Sequence, residues 1–196
     1  MPPMPNRNVQ QPNQENLWIK GLRTLGLSLF LAFGIRAGIA QSFFIPSGSM
    51  EPTLQIDDRV MVDKLSYRFK PPQRGDVVVF SPPNAATTEC GLPPNSHNFF
   101  IKRVIGLPGE KLEIKEGRVY INDRPWRENY IVDKPQYQWG PKILPPSSYL
   151  VLGDNRNNSC DGHTWGFVHR EHIIGQAIVR FWPPNRISIF PKEQTQ

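Results

Sequence analysis

The stretch Pro46-Ser47-Gly48-Ser49-Met50-Glu51-Pro52-Thr53-Leu54 directly follows an apolar segment of the chain. That segment is about 20 residues long, the length at which a helix crosses the hydrocarbon core of a membrane. Two serines spaced by one glycine beside a bilayer indicate a hydrolase that works at the membrane surface. Most serines in proteins are turn or surface residues, so this interpretation depends on residues further along the chain.

The sequence predicts three regions. Residues 1–15 are rich in Pro, Asn and Gln and are expected to form a disordered cytoplasmic tail. Residues 16–45 are expected to form one transmembrane anchor helix, and residues 46–196 the body of the protein. Lys20 and Arg23 precede the apolar run, which predicts that the N-terminus stays in the cytoplasm while the body is translocated.

Two features of the apolar segment leave a second interpretation. Arg36 lies inside it and would have to reach the membrane interface or face protein. Gly38-Ile39-Ala40 has the small residues of a signal-peptide cleavage site, so the segment could itself be a cleaved signal peptide. We favour an uncleaved anchor, because Arg36 interrupts the apolar stretch before that site and the apolar patch Phe43-Phe44-Ile45 follows it.

The body is predicted to be mainly β. Proline is abundant (21 residues), long helical patterns are scarce after the N-terminal segment, and short β-branched runs are bounded by turn residues. Core strands are expected within residues 46–110 and 148–190. Residues 111–147 are expected to contain a hairpin around Glu116-Gly117, followed by an irregular excursion.

Composition excludes some classes of partner and cofactor. The net charge is +6, but Lys and Arg are scattered without a dense basic run, which argues against nucleic-acid binding. Cys90 and Cys160 do not form a C-x-x-C pair, and the turn at 154–162 lacks the spacing of a calcium loop because Arg156 occupies a ligand position. We therefore expect no metal and no cofactor. The two cysteines form either one disulfide or two buried free thiols.

A lysine is a better candidate base than any histidine. No motif connects His97, His163, His169 or His172 to a serine. Lys102 lies in a mostly apolar strand pattern, and burial there would lower the pKa of its amine by disfavouring the ammonium form. A neutral amine can accept a proton from serine near neutral pH. A lone lysine in such a pattern can also extend to the solvent from a strand edge.

Four segments of the chain carry a resemblance to a known family. In order along the sequence they resemble the successive boxes of bacterial type I signal peptidases, and they are residues 47–54, 74–80, 102–110 and 153–159. The resemblance implies a signal-peptidase-like, β-rich catalytic domain over residues 46–196. It also implies a Ser/Lys dyad, in which Ser49 is the nucleophile and Lys102 the general base.

The same resemblance implies roles for further residues. Ser47 would help to build the oxyanion hole with the backbone N–H of Ser49, and Ser159 would hydrogen-bond the lysine amine and orient it. The residues expected around this site are Asp154, Arg156, Asp161 and His163. Many members have Asp where Asn157 stands and Asp-Ser-Arg where this chain has Asp161-Gly162-His163, so an Asp–Arg ion pair of the family would become Asp161 with His163 or be lost.

The implied function is that of a membrane-anchored serine endopeptidase. It would remove signal peptides from exported preproteins after small residues of the Ala-x-Ala type, at a bacterial inner membrane, with the catalytic domain on the periplasmic side. Its partners would be preproteins and the lipid bilayer. The residues suspected to form the pocket walls are Phe43, Ile45, Ile101 and Val104. Two alternatives remain: a self-cleaving protease on the same Ser/Lys scaffold, and a membrane-tethered β-rich binding module without catalysis.

Overall fold

A computed structural model describes residues 16–91 and 99–190 of the chain. The predicted tail at 1–15 and His97 lie outside these residues. The chain divides into two units between Ala37 and Gly38. The described part of the first unit belongs to helix α1 (Asn16–Ile39).

Helix α1 ends earlier than the sequence predicts. Residues Ala40–Phe44 form strand β1 instead, and Ile45 is buried. The predicted helical segment 16–45 is therefore too long at its C-terminal end. The aromatic patch at its end pairs as a strand, and such residues favour an extended backbone. No helix in the part of the chain that the structure describes is long and apolar enough to span a membrane.

The second unit consists mainly of strands, as predicted. Its helices are α2 (Asn84–Glu89) and α3 (Gly162–Trp165). After β1 its strands are β2 (Arg59–Asp63), β3 (Val77–Phe80), β4 (Phe100–Gly106), β5 (Lys111–Lys115), β6 (Arg118–Ile121), β7 (Arg124–Pro125), β8 (Trp139–Ile143), β9 (Ser148–Leu152), β10 (Val168–His169), β11 (Ile173–Trp182) and β12 (Ser188–Ile189).

Two antiparallel sheets are formed by the described strands. The larger sheet has the order β1-β2-β11-β3-β4-β9-β10, with β12 paired to β11. The smaller sheet has the order β7-β6-β5-β8 and is built from residues 111–143. The predicted hairpin corresponds to β5 and β6, which pair from Leu112 with Ile121 to Lys115 with Arg118. The region expected to be irregular also contributes β7 and β8.

Strand β4 lies inside the larger sheet, between β3 and β9. Because successive side chains of a strand point to opposite faces, its residues enter two different hydrophobic clusters. Val104 packs in a cluster with Phe80 and Trp165. Ile101 packs in another with Ile45 and Met50. Lys102 therefore belongs to a strand that is paired on both edges and packed against a hydrophobic cluster on each face.

The two cysteines form a disulfide. Cys90 follows helix α2 and is bonded to Cys160, with 5.9 Å between their Cα atoms. The bond decides between the two possibilities that the sequence leaves open. It fixes the segment that contains Ser159 and Asp161 to the end of α2, and a link across 70 residues restricts the unfolded chain.

Candidate active site

Ser49 lies in a short 3-10 helix, Gly48–Met50, which begins three residues after the buried Ile45. Met50 is fully buried and fixes this turn to the core. Asn155 holds the same turn from the other side: its side-chain Nδ2 donates to the Gly48 carbonyl at 3.2 Å, and its backbone N–H donates to the Ser49 carbonyl at 3.1 Å. The Ser49 backbone is thus fixed while its side chain stays half-exposed.

The amine of Lys102 meets the hydroxyl of Ser49. Lys102 Nζ donates to Ser49 Oγ at 2.7 Å and to the Ile101 carbonyl at 3.0 Å. Only 5% of Lys102 is exposed. The two residues are 53 positions apart in the sequence, so the fold of the larger sheet is what brings them together.

Burial lowers the pKa of Lys102 to about 8, because removal from water disfavours the charged ammonium. The carboxylates of Asp161 and Asp154 oppose this shift and favour the ammonium. The ring of Phe100 lies on the same face of the strand, with its centroid 5.5 Å from Nζ. At neutral pH a useful fraction of this amine is unprotonated, which a base for serine requires.

Ser47 stands beside the nucleophile candidate. Its Oγ lies 3.4 Å from Ser49 Oγ, and either hydroxyl can be the donor. Ser47 is exposed and Ser49 is half-buried, so a substrate can reach both hydroxyls from the solvent. The spacing predicted from the sequence therefore puts two hydroxyl groups on one accessible surface.

Ser159 does not make the hydrogen bond to Lys102 that the sequence predicts. Its Oγ is buried and has no partner among the residues the structure describes, and the Ile101 carbonyl accepts from the amine instead. Ser159 packs against Gly153, where a Cβ atom would lie 2.3 Å from Ser159 Oγ and 2.4 Å from the Ser49 carbonyl oxygen. Only glycine fits between these two groups.

Asp154 belongs to a buried ion pair. Arg103 Nε donates to Asp154 Oδ1 at 2.8 Å, and Arg103 Nη2 donates to Oδ2 at 2.6 Å. Thr53 Oγ1 donates to the same carboxylate at 2.5 Å. A two-pronged arginine–carboxylate contact has a well-defined geometry. It connects the loop after β9 to β4 and to the segment that follows Ser49.

Arg156 belongs to a second buried ion pair with Glu128. Arg156 Nη1 donates to Glu128 Oε2 at 2.7 Å, Nη2 donates to Oε1, and Nε donates to the Gly153 carbonyl at 3.1 Å. Tyr130 connects the two ion pairs, because its hydroxyl donates to Glu128 and its ring lies 4.1 Å from the Arg103 guanidinium carbon. The segment between β7 and β8 thereby supports the loop after β9, which holds the Ser49 turn through Asn155.

Asp161 pairs with His163. His163 Nδ1 lies 2.8 Å from Asp161 Oδ1, and the backbone N–H of Gly153 donates to Oδ2 at 2.8 Å. The His163 ring stacks on Tyr137 with 4.0 Å between centroids. The sequence leaves two outcomes for the family's Asp–Arg pair: replacement by Asp161 with His163, or loss. The structure shows the replacement. Each of the four residues expected around the site thus has a side-chain partner of complementary character: Asp154 with Arg103, Arg156 with Glu128, and Asp161 with His163.

The four residues suspected to form pocket walls do not share one surface. Phe43, Ile45 and Ile101 belong to the same cluster, whereas Val104 belongs to another. Val104 is three residues beyond Ile101 on β4, so its side chain points to the opposite face. The prediction is wrong for Val104, which is fully buried, and Ile45 is only 1% exposed. Half-buried Phe43 and the edge of Ile101 remain, with Phe99 in edge-to-face contact with Phe43.

Sequence reasoning missed Asn155 and Glu128. Asn155 is part of the box at 153–159, so its position in that motif was a usable signal. Glu128 lies in the region expected to be irregular, and no motif marks it. In the described ranges, 16–91 and 99–190, no three His, Cys, Asp or Glu side chains are grouped so that they could hold a metal ion.

The family model of the signal peptidases, peptidase S26, matches residues 18–182. The chain belongs to the signal peptidase family. The match includes Ser49, Lys102 and both buried ion pairs. It confirms the family that the four sequence boxes predict.

Curated relatives agree with this family. Signal peptidase I of Leptolyngbya laminosa is 53% identical over 179 residues, covering 91% of this chain and 87% of that protein. Probable signal peptidase I-2 of Synechocystis sp. is 49% identical, covering 89% and 78%. Thylakoidal processing peptidase 1, chloroplastic, of Arabidopsis thaliana is 37% identical, covering 78% and 45%. A crystal structure of signal peptidase I from Enterococcus faecalis is 29% identical, with a TM-score of 0.40, and covers 55% of this chain and 97% of that one.

The peptidase is therefore a serine endopeptidase that removes signal peptides from preproteins, as predicted. The family assignment decides against the two alternatives left by the sequence, a self-cleaving protease and a binding module without catalysis.

Proposed function

We propose that Ser49 is the nucleophile of this signal peptidase and Lys102 its general base. The observation that carries this proposal is the 2.7 Å contact between Lys102 Nζ and Ser49 Oγ. It is supported by the burial of the amine and by its pKa, lowered to about 8. A nucleophile and a base within hydrogen-bond reach are the minimum requirement for covalent catalysis by serine.

The reaction follows from these two groups. Neutral Lys102 accepts the proton of Ser49 Oγ while the oxygen attacks the carbonyl carbon of the scissile peptide bond. The resulting ammonium then protonates the amine of the mature chain, which leaves, and an ester joins the signal peptide to Ser49. Neutral Lys102 next accepts a proton from the water that attacks the ester, and the ammonium returns this proton to Ser49 Oγ as the signal peptide leaves with a free carboxyl group.

Ser47 acts on the same intermediates. The Ser47 hydroxyl and the backbone N–H of Ser49 donate to the oxyanion that forms at the attacked carbonyl, and removal of one such donor typically costs about 3 kcal/mol of barrier. Ser159 makes no hydrogen bond to Lys102 in the structure, so we assign it no role in the reaction.

The substrates are preproteins with small residues before the scissile bond, of the Ala-x-Ala type. Half-buried Phe43 and the buried side chain of Ile101 form an apolar surface in the same cluster as Met50, which is the neighbour of Ser49. An apolar surface with little exposed depth accepts a methyl group and excludes larger side chains. Small residues at the cleavage positions satisfy this requirement.

Helix α1 anchors the enzyme in the inner membrane of a bacterium, with the N-terminus in the cytoplasm and the catalytic unit on the periplasmic side. Its exposed side chains include Trp18, Leu22 and Phe30, which are 84%, 68% and 76% exposed. Lys20 and Arg23 precede the apolar run, as in cytoplasmic flanks. The Cys90–Cys160 disulfide is of a kind that persists in oxidising compartments such as the periplasm.

If α1 is an anchor, the mature protein keeps this helix and stays with the membrane. Intact-mass measurement of the protein from membranes is expected to show that α1 is retained, and alkaline carbonate washing is expected to leave the protein with the membrane. A mature chain that starts at Gln41 would contradict the anchor and identify a cleaved signal peptide instead.

The pH dependence of cleavage tests the proposed base. With a preprotein that carries an Ala-x-Ala site, kcat/KM is expected to rise about tenfold for each pH unit well below the pKa and to level off above about pH 8, because only the neutral amine of Lys102 accepts the serine proton. The cleaved mature chain is quantified by mass spectrometry. A flat profile between pH 6 and 9 would contradict Lys102 as the base.

A further inference from the structure

Two cavities of the catalytic unit adjoin each other, and the first is lined in part by the segment that follows Ser49. The first has a volume of about 350 Å³, and its lining includes Asn155 and Arg156. Asn155 holds the carbonyl groups of the Ser49 turn, and Glu51, two residues after Ser49, also lines this cavity, so the cavity adjoins the segment that carries the proposed nucleophile. The second has a volume of about 490 Å³, and its lining includes Glu128. Val132 lines both cavities, and the ion pair of Glu128 with Arg156 joins their walls.

The second cavity is cationic. Arg118, Arg127 and Lys134 line it and are exposed, and in the described part of the chain none of the three has an ion pair with a carboxylate. Its one acidic lining residue, Glu128, is already engaged by Arg156. Trp126 adds an apolar wall. The cavity therefore offers positive charge without a partner from this chain.

We propose that this cationic cavity binds an acidic segment in the early mature part of the preprotein. The inference rests on the proposed function, because Ser49 fixes where the scissile bond lies. The apolar surface of Phe43 and Ile101 suits the signal-peptide side of that bond, whereas a charged cavity suits the more polar mature chain. Guanidinium groups bind carboxylates through two parallel hydrogen bonds, so Asp and Glu are the side chains that fit.

The position of the acidic segment follows from the charge of the first cavity. Glu51 and Asp133 line that cavity, and neither has an ion pair among the described residues. Acidic side chains immediately after the scissile bond would meet these carboxylates. Acidic residues are therefore expected to favour cleavage only at positions further along the mature chain, where the chain reaches the cationic cavity.

An anionic lipid is the other ligand with suitable charge. The mature chain is favoured because Glu51, two residues after Ser49, lines the first cavity and Val132 lines both, so a chain held at the nucleophile can extend along both cavities. Each exposed ion pair changes affinity by a factor of about 2 to 5, so the two pairs that an Asp-Glu segment can form give about a tenfold effect. Screening by salt is expected to weaken it.

The experiment measures kcat/KM on matched preproteins. One series moves an Asp-Glu pair through the first ten or so mature residues, and its control series carries Asn-Gln at the same positions. The enzyme is the full chain, the triple variant Arg118→Gln/Arg127→Gln/Lys134→Gln, and a control with the same loss of charge elsewhere, Arg68→Gln/Lys70→Gln/Lys142→Gln. Each enzyme is also tested for binding to vesicles with and without anionic lipid.

The expected result is a preference of about tenfold for the acidic substrate at a few distal positions, lost in the cavity variant, kept in the control variant and reduced by salt. The inference is overturned if both triple variants lose the preference for the acidic substrate equally, or if neither variant loses it. It is also overturned by a cavity variant that loses only binding to anionic vesicles. Cleavage of the Asn-Gln substrates by the unmodified enzyme and its loss in Ser49→Ala test the proposed function separately.

Discussion

Ser49→Ala is expected to abolish cleavage of a preprotein, with a fall in kcat of about 10⁴ to 10⁶, the range seen when the nucleophile of a serine protease is removed. The alanine side chain leaves no atom that can form the ester, and Lys102 has no proton to accept. The turn itself is held by the buried Met50 and by the two hydrogen bonds from Asn155 to carbonyl groups, none of which uses the serine hydroxyl. The fold should therefore persist.

The measurement is the release of mature chain over time, with the thermal unfolding temperature recorded for the same preparation. Ser188→Ala on strand β12 is the matched control and is expected to cleave at the rate of the unmodified enzyme. Retained cleavage by Ser49→Ala at an unchanged site would refute the nucleophile. Lost cleavage together with a large fall in unfolding temperature would show instead that the turn depends on the hydroxyl.

The sequence predicts the proposed catalytic pair because each member carries a local signal. Ser49 stands in a short motif, and Lys102 interrupts an apolar strand pattern. A strand alternates its side chains, so this pattern is compatible with burial of Lys102 on one face and also with a side chain that extends to the solvent, and the resemblance to the family favours burial. What the sequence cannot provide is the contact itself. Strand β4 lies between β3 and β9, and this arrangement carries the amine to a serine 53 residues away.

Other features around the site depend on contacts between residues distant in the sequence, and no motif near either residue indicates these contacts. The patch Phe43-Phe44-Ile45 is apolar in either a helix or a strand, and its pairing with β2 decides for the strand. Glu128 comes from a segment without periodicity, yet it holds Arg156 across 28 residues. The disulfide is equally non-local, because composition is compatible with both a bond and two free thiols.

Lys102→Met is expected to lower kcat by a factor of about 10⁴ or more, because the uncharged thioether cannot accept the serine proton. Methionine has nearly the length of lysine and fills the same buried space. We therefore expect Lys102→Met to lose catalysis while the packing around residue 102 is kept. The assay is the same release of mature chain, at pH 9 as well as pH 7, so that a shift in the pH profile is not mistaken for loss.

The same variant is expected to be more stable than the unmodified enzyme at neutral pH. In the folded protein burial lowers the pKa of Lys102 from 10.5 to about 8, so the fold disfavours the ammonium that the unfolded chain carries. Below about pH 8 the amine is charged in both states, and the folded state bears the full cost of burying it. That cost is at most about 3 kcal/mol for a shift of this size, and Lys102→Met removes it.

The pH dependence of this stability difference has a defined direction. Between about pH 8 and 10.5 the unfolded chain binds more protons than the folded chain, so the stability of the unmodified enzyme rises with pH. The advantage of Lys102→Met in free energy of unfolding should therefore be largest below pH 8 and shrink above it. Lys142→Met, at an exposed position on β8, is the matched control and should show no such trend. If Lys102→Met is less stable than the unmodified enzyme at pH 7, the claim that burial of the Lys102 ammonium destabilises the folded state is wrong.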